Sequence, residues 1–395
     1  MTKQQNGIYI IYAALILTLM TDRFSVLYSA FIIAIFIYVS IKNKNIIKTN
    51  DFVKLIAGIA LVIAIDTAIY ILPGISPIFS FSVAFKEFVR CALYILIFLT
   101  ISTFSINIKA YFCIWSILTF GCVAIAAMQF YDIFNVNEYI IDIYGNSLQL
   151  YNTQFDTLER FRSGSVFLNP NVFAGYLLGS FSIFLFAARN LRLNIVVKIL
   201  LFAVHIAGLL FCGSRTGFII ATLLTVRDMF VSNKGKQGKL LVVLLIIPIA
   251  YMLFSILNEK FNISEFRIFS ISSGISTSFD YKLKAFLTAI KNMNLIHILI
   301  GYGPFDYSKF LMDSDIGYFI GYFGLAGIYL YYNFIKVVKN TANVYLPERR
   351  IFNISFCIIV VLFGLTAGMY FNIRVFSLFL IMLSPSVYKE ERQLL

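Results

Sequence analysis

The residues best suited to chemistry lie in Arg160-Phe161-Arg162-Ser163-Gly164-Ser165-Val166-Phe167-Leu168-Asn169-Pro170-Asn171, a basic, Gly/Pro/Asn-punctuated loop running into a long apolar segment. Arginine's planar fork binds phosphate oxygens in pairs. Asn169 and Asn171 can hydrogen-bond a sugar or cap the helix that follows. A further arginine, Arg215, is flanked by glycines in Gly213-Ser214-Arg215-Thr216-Gly217, where a helix junction would add N–H groups to an anion pocket. Arg267 stands in Glu265-Phe266-Arg267-Ile268-Phe269, ahead of a Ser/Gly-rich stretch. Asp313-Ser314-Asp315 places two carboxylates directly before an apolar run. Either is a candidate general base for a hydroxyl nucleophile, their spacing is able to chelate a divalent cation, and Asp315 is also in position to be a helix N-cap. The bland alternatives are arginines that meet lipid phosphates or snorkel to an interface, and a solvated acidic loop.

These groups sit in a chain that is 60% hydrophobic, 17% aromatic and 13% charged over 395 residues, with a mean hydropathy of +0.86. Runs of about 20 apolar residues need a bilayer around them. The apolar runs predict an all-α polytopic membrane protein of about twelve spans, near 7–20, 24–41, 52–72, 88–106, 111–130, 172–188, 195–212, 217–230, 240–257, 316–335, 351–366 and 374–387. A single membrane domain over 1–395 is expected, with two long loops, 131–171 and 258–315, and no room for a soluble domain. The first apolar run lacks a small-residue cleavage site and reads as a retained helix.

The net charge of +13 is not a nucleic-acid signature, because its distribution follows the membrane. With the N-terminus inside, more than half of the 32 lysines and arginines fall on the cytoplasmic side, in its short loops and the termini, as the positive-inside rule asks. The outside remainder concentrates in the two long loops, including Arg160, Arg162 and Arg267. Topology does not explain basic outside loops; an anion does. No P-loop, no strand-borne GxGxxG and no Cys/His metal cluster is present, so no nucleotide cofactor and no ATP-driven pump is expected. The five cysteines lie in or beside apolar segments without CxxC spacing and read as small buried hydrophobes.

Other polar notes are few. Asp66 lies inside an apolar run, as a proton-relay group or a helix-packing hydrogen bond, and Lys86, Glu87 and Arg90 form the other polar cluster of the first third. Residues 281–300 set Leu283, Phe286, Leu287 and Ile290 on one helical face among lysines, predicting an amphipathic helix on the outer membrane boundary that stops at Gly301-Tyr302-Gly303-Pro304. His205 and His297 read as structural.

Taken in order, the arginine loop with Asn-Pro-Asn-Val-Phe-Ala-Gly, Gly-Ser-Arg-Thr-Gly, the amphipathic helix with Gly-Tyr-Gly-Pro, the acid-Ser pair and Gly324-Leu325-Ala326-Gly327 resemble the O-antigen ligase/O-antigen polymerase superfamily of bacterial membrane glycosyltransferases. The resemblance covers roughly residues 110–335; the first third matches only in being apolar. It implies a GT-C-type enzyme of the bacterial inner membrane that uses glycans on undecaprenyl pyrophosphate at the outer face, inverting and without a metal. Arg162, Arg215 and Arg267 would hold the pyrophosphate, with Arg160, Asn169, Asn171 and Tyr302 in the substrate site. Membrane lipid, a chain-length regulator and a flippase are the implied partners. Ligases of the family tend to have His-Asn where this chain has Asp313-Ser314, which favours a polymerase over a ligase that moves the chain onto a lipid A core, and leaves the base open between Asp313 and Asp315. A lipid-linked oligosaccharide flippase is the competitor from another class. It would show charges deep within several spans and internal repeats, and neither pattern is visible.

Overall fold

In the computed structural model, the apolar runs are helices. The residues described are 3–20, 25–42, 51–71, 79–144, 162–167, 169–191, 193–231, 284, 287–288, 290–305, 314–341, 349–365, 367–370 and 372–388. In chain order the helices are α1 (Lys3–Met20), α2 (Ser25–Lys42), α3 (Asp51–Tyr70), α4 (Phe81–Ser102), α5 (Ile108–Phe130), α6 (Val136–Tyr144), α7 (Pro170–Asn190), α8 (Ile195–Phe211), α9 (Arg215–Val231), α10 (Leu295–Ile300), α11 (Asp315–Thr341), α12 (Arg349–Gly364) and α13 (Ile373–Leu383). Three of them, α3, α5 and α7, are long and apolar enough to cross a membrane, and shorter apolar helices accompany them. Leu61 and Ile65 on α3, Ile117 and Phe120 on α5, and Ile195, Val196, Ile199 and Leu200 on α8 are exposed. Water does not tolerate so much outward apolar surface, whereas a bilayer requires it. The chain is a helical membrane protein.

Several boundaries differ from those the sequence predicts. The fourth helix begins at Phe81 instead of 88 and takes Lys86 and Glu87 in with Arg90, whose Nη1 donates to Glu87 Oε2 at 2.8 Å and removes the objection to that carboxylate inside a span. The chain is not purely helical: β1 (Ser105–Asn107) pairs in parallel with β2 (Ser386–Tyr388), Ile106 opposite Val387, so α13 ends at Leu383 before the expected 387. The amphipathic helix predicted over 281–300 is interrupted at 292–294, where the Asn294 side chain accepts from the His297 N–H and starts α10 afresh. The span expected at 240–257 lies outside the described residues.

Two compact units are formed, Met1–Ile114 with Ser276–Leu395, and Trp115–Ile275. In the first, α4 packs on α2, α3 and α13, while α11 packs on α3, α10 and α12. Helix α13 is buried from Val375 to Leu383. Its last carbonyls have no partner within the helix, and tyrosines supply one: Tyr12 OH donates to Ile381 O at 2.7 Å and Tyr111 OH to Met382 O at 2.6 Å. Helix α11 breaks at Gly324 (φ 58°, ψ −137°). The carbonyls freed there are taken by the Gly301–Pro304 turn, with Tyr302 N–H to Gly321 O at 2.8 Å and Gly303 N–H to Tyr322 O at 3.2 Å. A side chain on Gly301 (φ +78°) would strike the backbone of Tyr322 and Phe323, and one on Gly324 would strike Ile298 O and Gly301 N. In the second unit α7 is the central helix, buried on nearly all sides, with α8, α9 and the 3-10 turn Ser165–Phe167 against it.

Gly301→Ala and Gly324→Ala combine left-handed strain with backbone collision and should each destabilise the protein by about 2 kcal/mol or more. A Cβ at Gly58 on α3 meets nothing within 4 Å, so Gly58→Ala should cost nothing. Thermal unfolding of the three variants in detergent checks this.

Candidate functional site

Of the residues singled out from sequence, Arg162, Asn169, Asn171 and Arg215 fall in the second unit, Tyr302 and Asp315 in the first, and Arg160, Arg267 and Asp313 lie outside the described residues.

The second unit builds its cluster from helix ends. Asn169 caps α7: its Oδ1 accepts from the N–H groups of Asn171 at 2.8 Å and Val172 at 3.4 Å, and Pro170 follows at the first helical position. Capping, one of the two roles open to Asn169 on sequence, is thus the one it fills. Asn171 is free of that duty, and its Oδ1 accepts from Arg162 Nη2 at 3.0 Å. On its other side Arg162 Nε donates to Cys212 O at 2.9 Å. Cys212 ends α8 and opens the turn through Gly213 (φ 60°) into α9, where Ser214 Oγ accepts from the Gly217 N–H at 3.1 Å and Arg215 is the first helical residue. The structure therefore brings Arg162 to the turn that carries Arg215, at the end of the unit where α7 and α9 both present their N-termini. Helix N-termini and guanidinium groups favour the same ligand, an anion.

The loop that delivers Arg162 is anchored from beneath. Ser163 N–H donates to Phe211 O at 3.0 Å, Ser163 Oγ to Gln129 Oε1 at 2.5 Å, and Ser165 Oγ to Cys122 O at 2.7 Å, with Ser163, Ser165 and Gln129 all buried. Sequence reasoning passed over Gln129; a buried amide at the end of an apolar run was the available signal. His205 is structural, as expected. Its Nδ1 lies 2.7 Å from Leu201 O, and a carbonyl only accepts, so Nδ1 carries the proton and Nε2 accepts from Ser180 Oγ at 3.1 Å. Thr119 then donates to Ser180 (2.5 Å) and Tyr176 to Thr119 (3.1 Å), and the chain is directional.

In the first unit Asp315 is fully buried, and its Oδ1 accepts from the backbone N–H groups of Met369 (2.9 Å) and Tyr370 (2.8 Å). These bonds tie the start of α11 to the turn before α13. The cap of α11 is Ser314, whose Oγ accepts from the Gly317 N–H at 3.0 Å, and not Asp315. Tyr302 is buried in the glycine turn with its ring 4.5 Å from that of His297, and burial pushes its phenol above the usual value, so it stays a neutral hydroxyl at any physiological pH. Asp66 is buried on α3, and its Oδ2 meets no hydrogen-bond donor among the described residues, so the helix-packing bond expected there is not seen. Among the described residues no three His, Cys, Asp or Glu side chains gather as a metal site.

Compared with known proteins, the chain matches no family model, and no curated protein sequence is significantly similar to it.

Asn169→Ala removes the cap of α7 and should lower stability by about 1 kcal/mol, while Asn169→Ser, which keeps an acceptor, should stay within a few tenths of that of the parent. Denaturation of both variants alongside the wild type reads the difference.

Proposed function

We propose that this protein is a membrane glycosyltransferase of the GT-C type, with about twelve transmembrane helices, that polymerises undecaprenyl-pyrophosphate-linked repeat units into O-antigen or a related surface polysaccharide at the outer face of a bacterial inner membrane. The observation that carries this reading is the fixing of Arg162 between Cys212 O and Asn171 Oδ1, at the turn that holds Arg215. Both acceptors are neutral, so these two bonds orient the guanidinium and bring no counter-charge of their own. Two arginines and two helix N-termini at one end suit a pyrophosphate. The order of the sequence motifs points the same way.

A polyprenyl pyrophosphate is an activated leaving group, and no nucleotide is needed. An acceptor hydroxyl attacks the anomeric carbon from the face opposite the pyrophosphate. The C–O bond to phosphate breaks, and the lipid pyrophosphate departs with the electron pair. The arginines stabilise the charge that develops on it. The hydroxyl's proton goes to a carboxylate. Asp313 is assigned that role, since Asp315 is sealed in the fold by two backbone donors.

Loss of the protein should leave the surface lipid carrying a single repeat unit in place of a ladder on a gel. A lipid core with no sugar, and finished chains held on the carrier, would make it a ligase instead; repeats stranded on the inner leaflet would make it a flippase. Arg162→Ala and Arg215→Ala should each cost about 2–4 kcal/mol of transition-state stabilisation, and Lys should rescue only in part. Asn171→Ala, which only releases Arg162, should cost about 0.5–1.5 kcal/mol. A normal ladder from Arg215→Ala at normal abundance would remove that residue from the site.

A further inference from the structure

The first unit holds an arginine that the proposed reaction does not use. Arg90 lies nine residues into α4, roughly 13 Å along the axis from its start. Its Nη1 donates to Glu87 Oε2 at 2.8 Å, and the same oxygen accepts from Tyr318 OH at 2.7 Å. Around them Tyr94 OH donates to Tyr370 O at 2.5 Å, and Asp315 fixes the Tyr370 backbone, so the framework that holds Glu87 is itself held. The Glu87 side chain is 3% exposed and that of Arg90 18%, so the arginine is the more open member of the pair. A guanidinium carries five N–H donors. Only one of them is bonded among the described residues, and none of the rest is both sealed from the surface and unbonded.

Arg189 shows what a purely structural arginine looks like in this protein. It donates through Nε to Asp228 Oδ1 at 2.7 Å and through Nη2 to the Asp228 carbonyl, spending its Nε/Nη2 edge on one partner. Arg90 gives Glu87 only Nη1 and, among the described residues, keeps the Nε/Nη2 edge that Arg189 spends. A buried ion pair adds little stability over apolar packing, so a fold alone does not call for one here. Charge within a membrane bundle points to a ligand or a pathway.

We propose that Arg90 is a second oxyanion site, in which Glu87, braced by Tyr318, orients the guanidinium and the open edge takes two oxygens of a phosphate group. The phosphate belongs either to a lipid headgroup or to a free anion; the fork geometry is the same for both. This site is built from residues of the first unit alone and does not rest on the glycosyltransferase reading.

The test is calorimetric titration of purified full-length protein in an uncharged detergent, with dodecyl phosphate in one arm and inorganic phosphate in the other. The background is Arg162→Gln/Arg215→Gln, so that the other cluster is silent. Binding of the amphiphile alone identifies a lipid phosphate, and binding of the inorganic ion a free one. In either arm Arg90→Gln should lower affinity about tenfold or more, Arg90→Lys should fall between, and Glu87→Gln should stay within a few-fold of the parent. Removing Arg90 alone strands a buried carboxylate, so the neutral pair Glu87→Gln/Arg90→Gln decides: with an unchanged thermal unfolding curve it should lose binding. Unchanged affinity in that folded pair, or no binding of either probe before Arg90 is touched, overturns the site.

Discussion

Along its apolar length this chain has little water to satisfy polar groups, so most of them must find partners inside the protein. The described structure follows from that constraint. Asparagines cap α7, α8, α10 and α13 from their own side chains. Tyr12 and Tyr111 close the last carbonyls of α13, and the glycine turn at 301–304 closes those freed by the break in α11. Glu87 enters α4 with Arg90 and Tyr318 already bonded to it. Function then occupies what this internal accounting leaves over.

Seen this way, the arginines sort by what holds them. Arg189 is matched by the carboxylate and the carbonyl of Asp228 and serves the fold. Arg162 has two neutral acceptors among its partners, at a turn between helices. Arg90 is oriented by a carboxylate that accepts from its Nη1. The same side chain thus acts as a structural tie, as the proposed pyrophosphate clamp, and as a second anion site, and the difference lies in its partners.

Local pattern made much of this legible. Apolar run length located most helices to within a few residues, and Asn169-Pro170 and Gly301-Tyr302-Gly303-Pro304 announced a cap and a turn through residue chemistry that acts over three or four positions. What the sequence hid depends on partners far along the chain. Arg162 meets Cys212 O fifty residues on, Asp315 meets the 369–370 backbone, and β1 meets a strand near the C-terminal end. Glu87, just ahead of the expected start at 88, lies inside α4, and part of its compensation comes from Tyr318, on another helix. The break at Gly324 was hidden for the same reason, since the donors that permit it come from residues 302 and 303.

The most direct measurement is chain growth by the purified full-length protein in proteoliposomes, supplied only with a synthetic polyprenyl-pyrophosphate-linked oligosaccharide and read by mass spectrometry. The expected result is products longer by whole repeat units, with free polyprenyl pyrophosphate released in step, and their loss in Arg162→Ala. Absence of any chain growth from well-folded wild type, or growth at the wild-type rate from a well-folded Arg162→Ala protein, would contradict it.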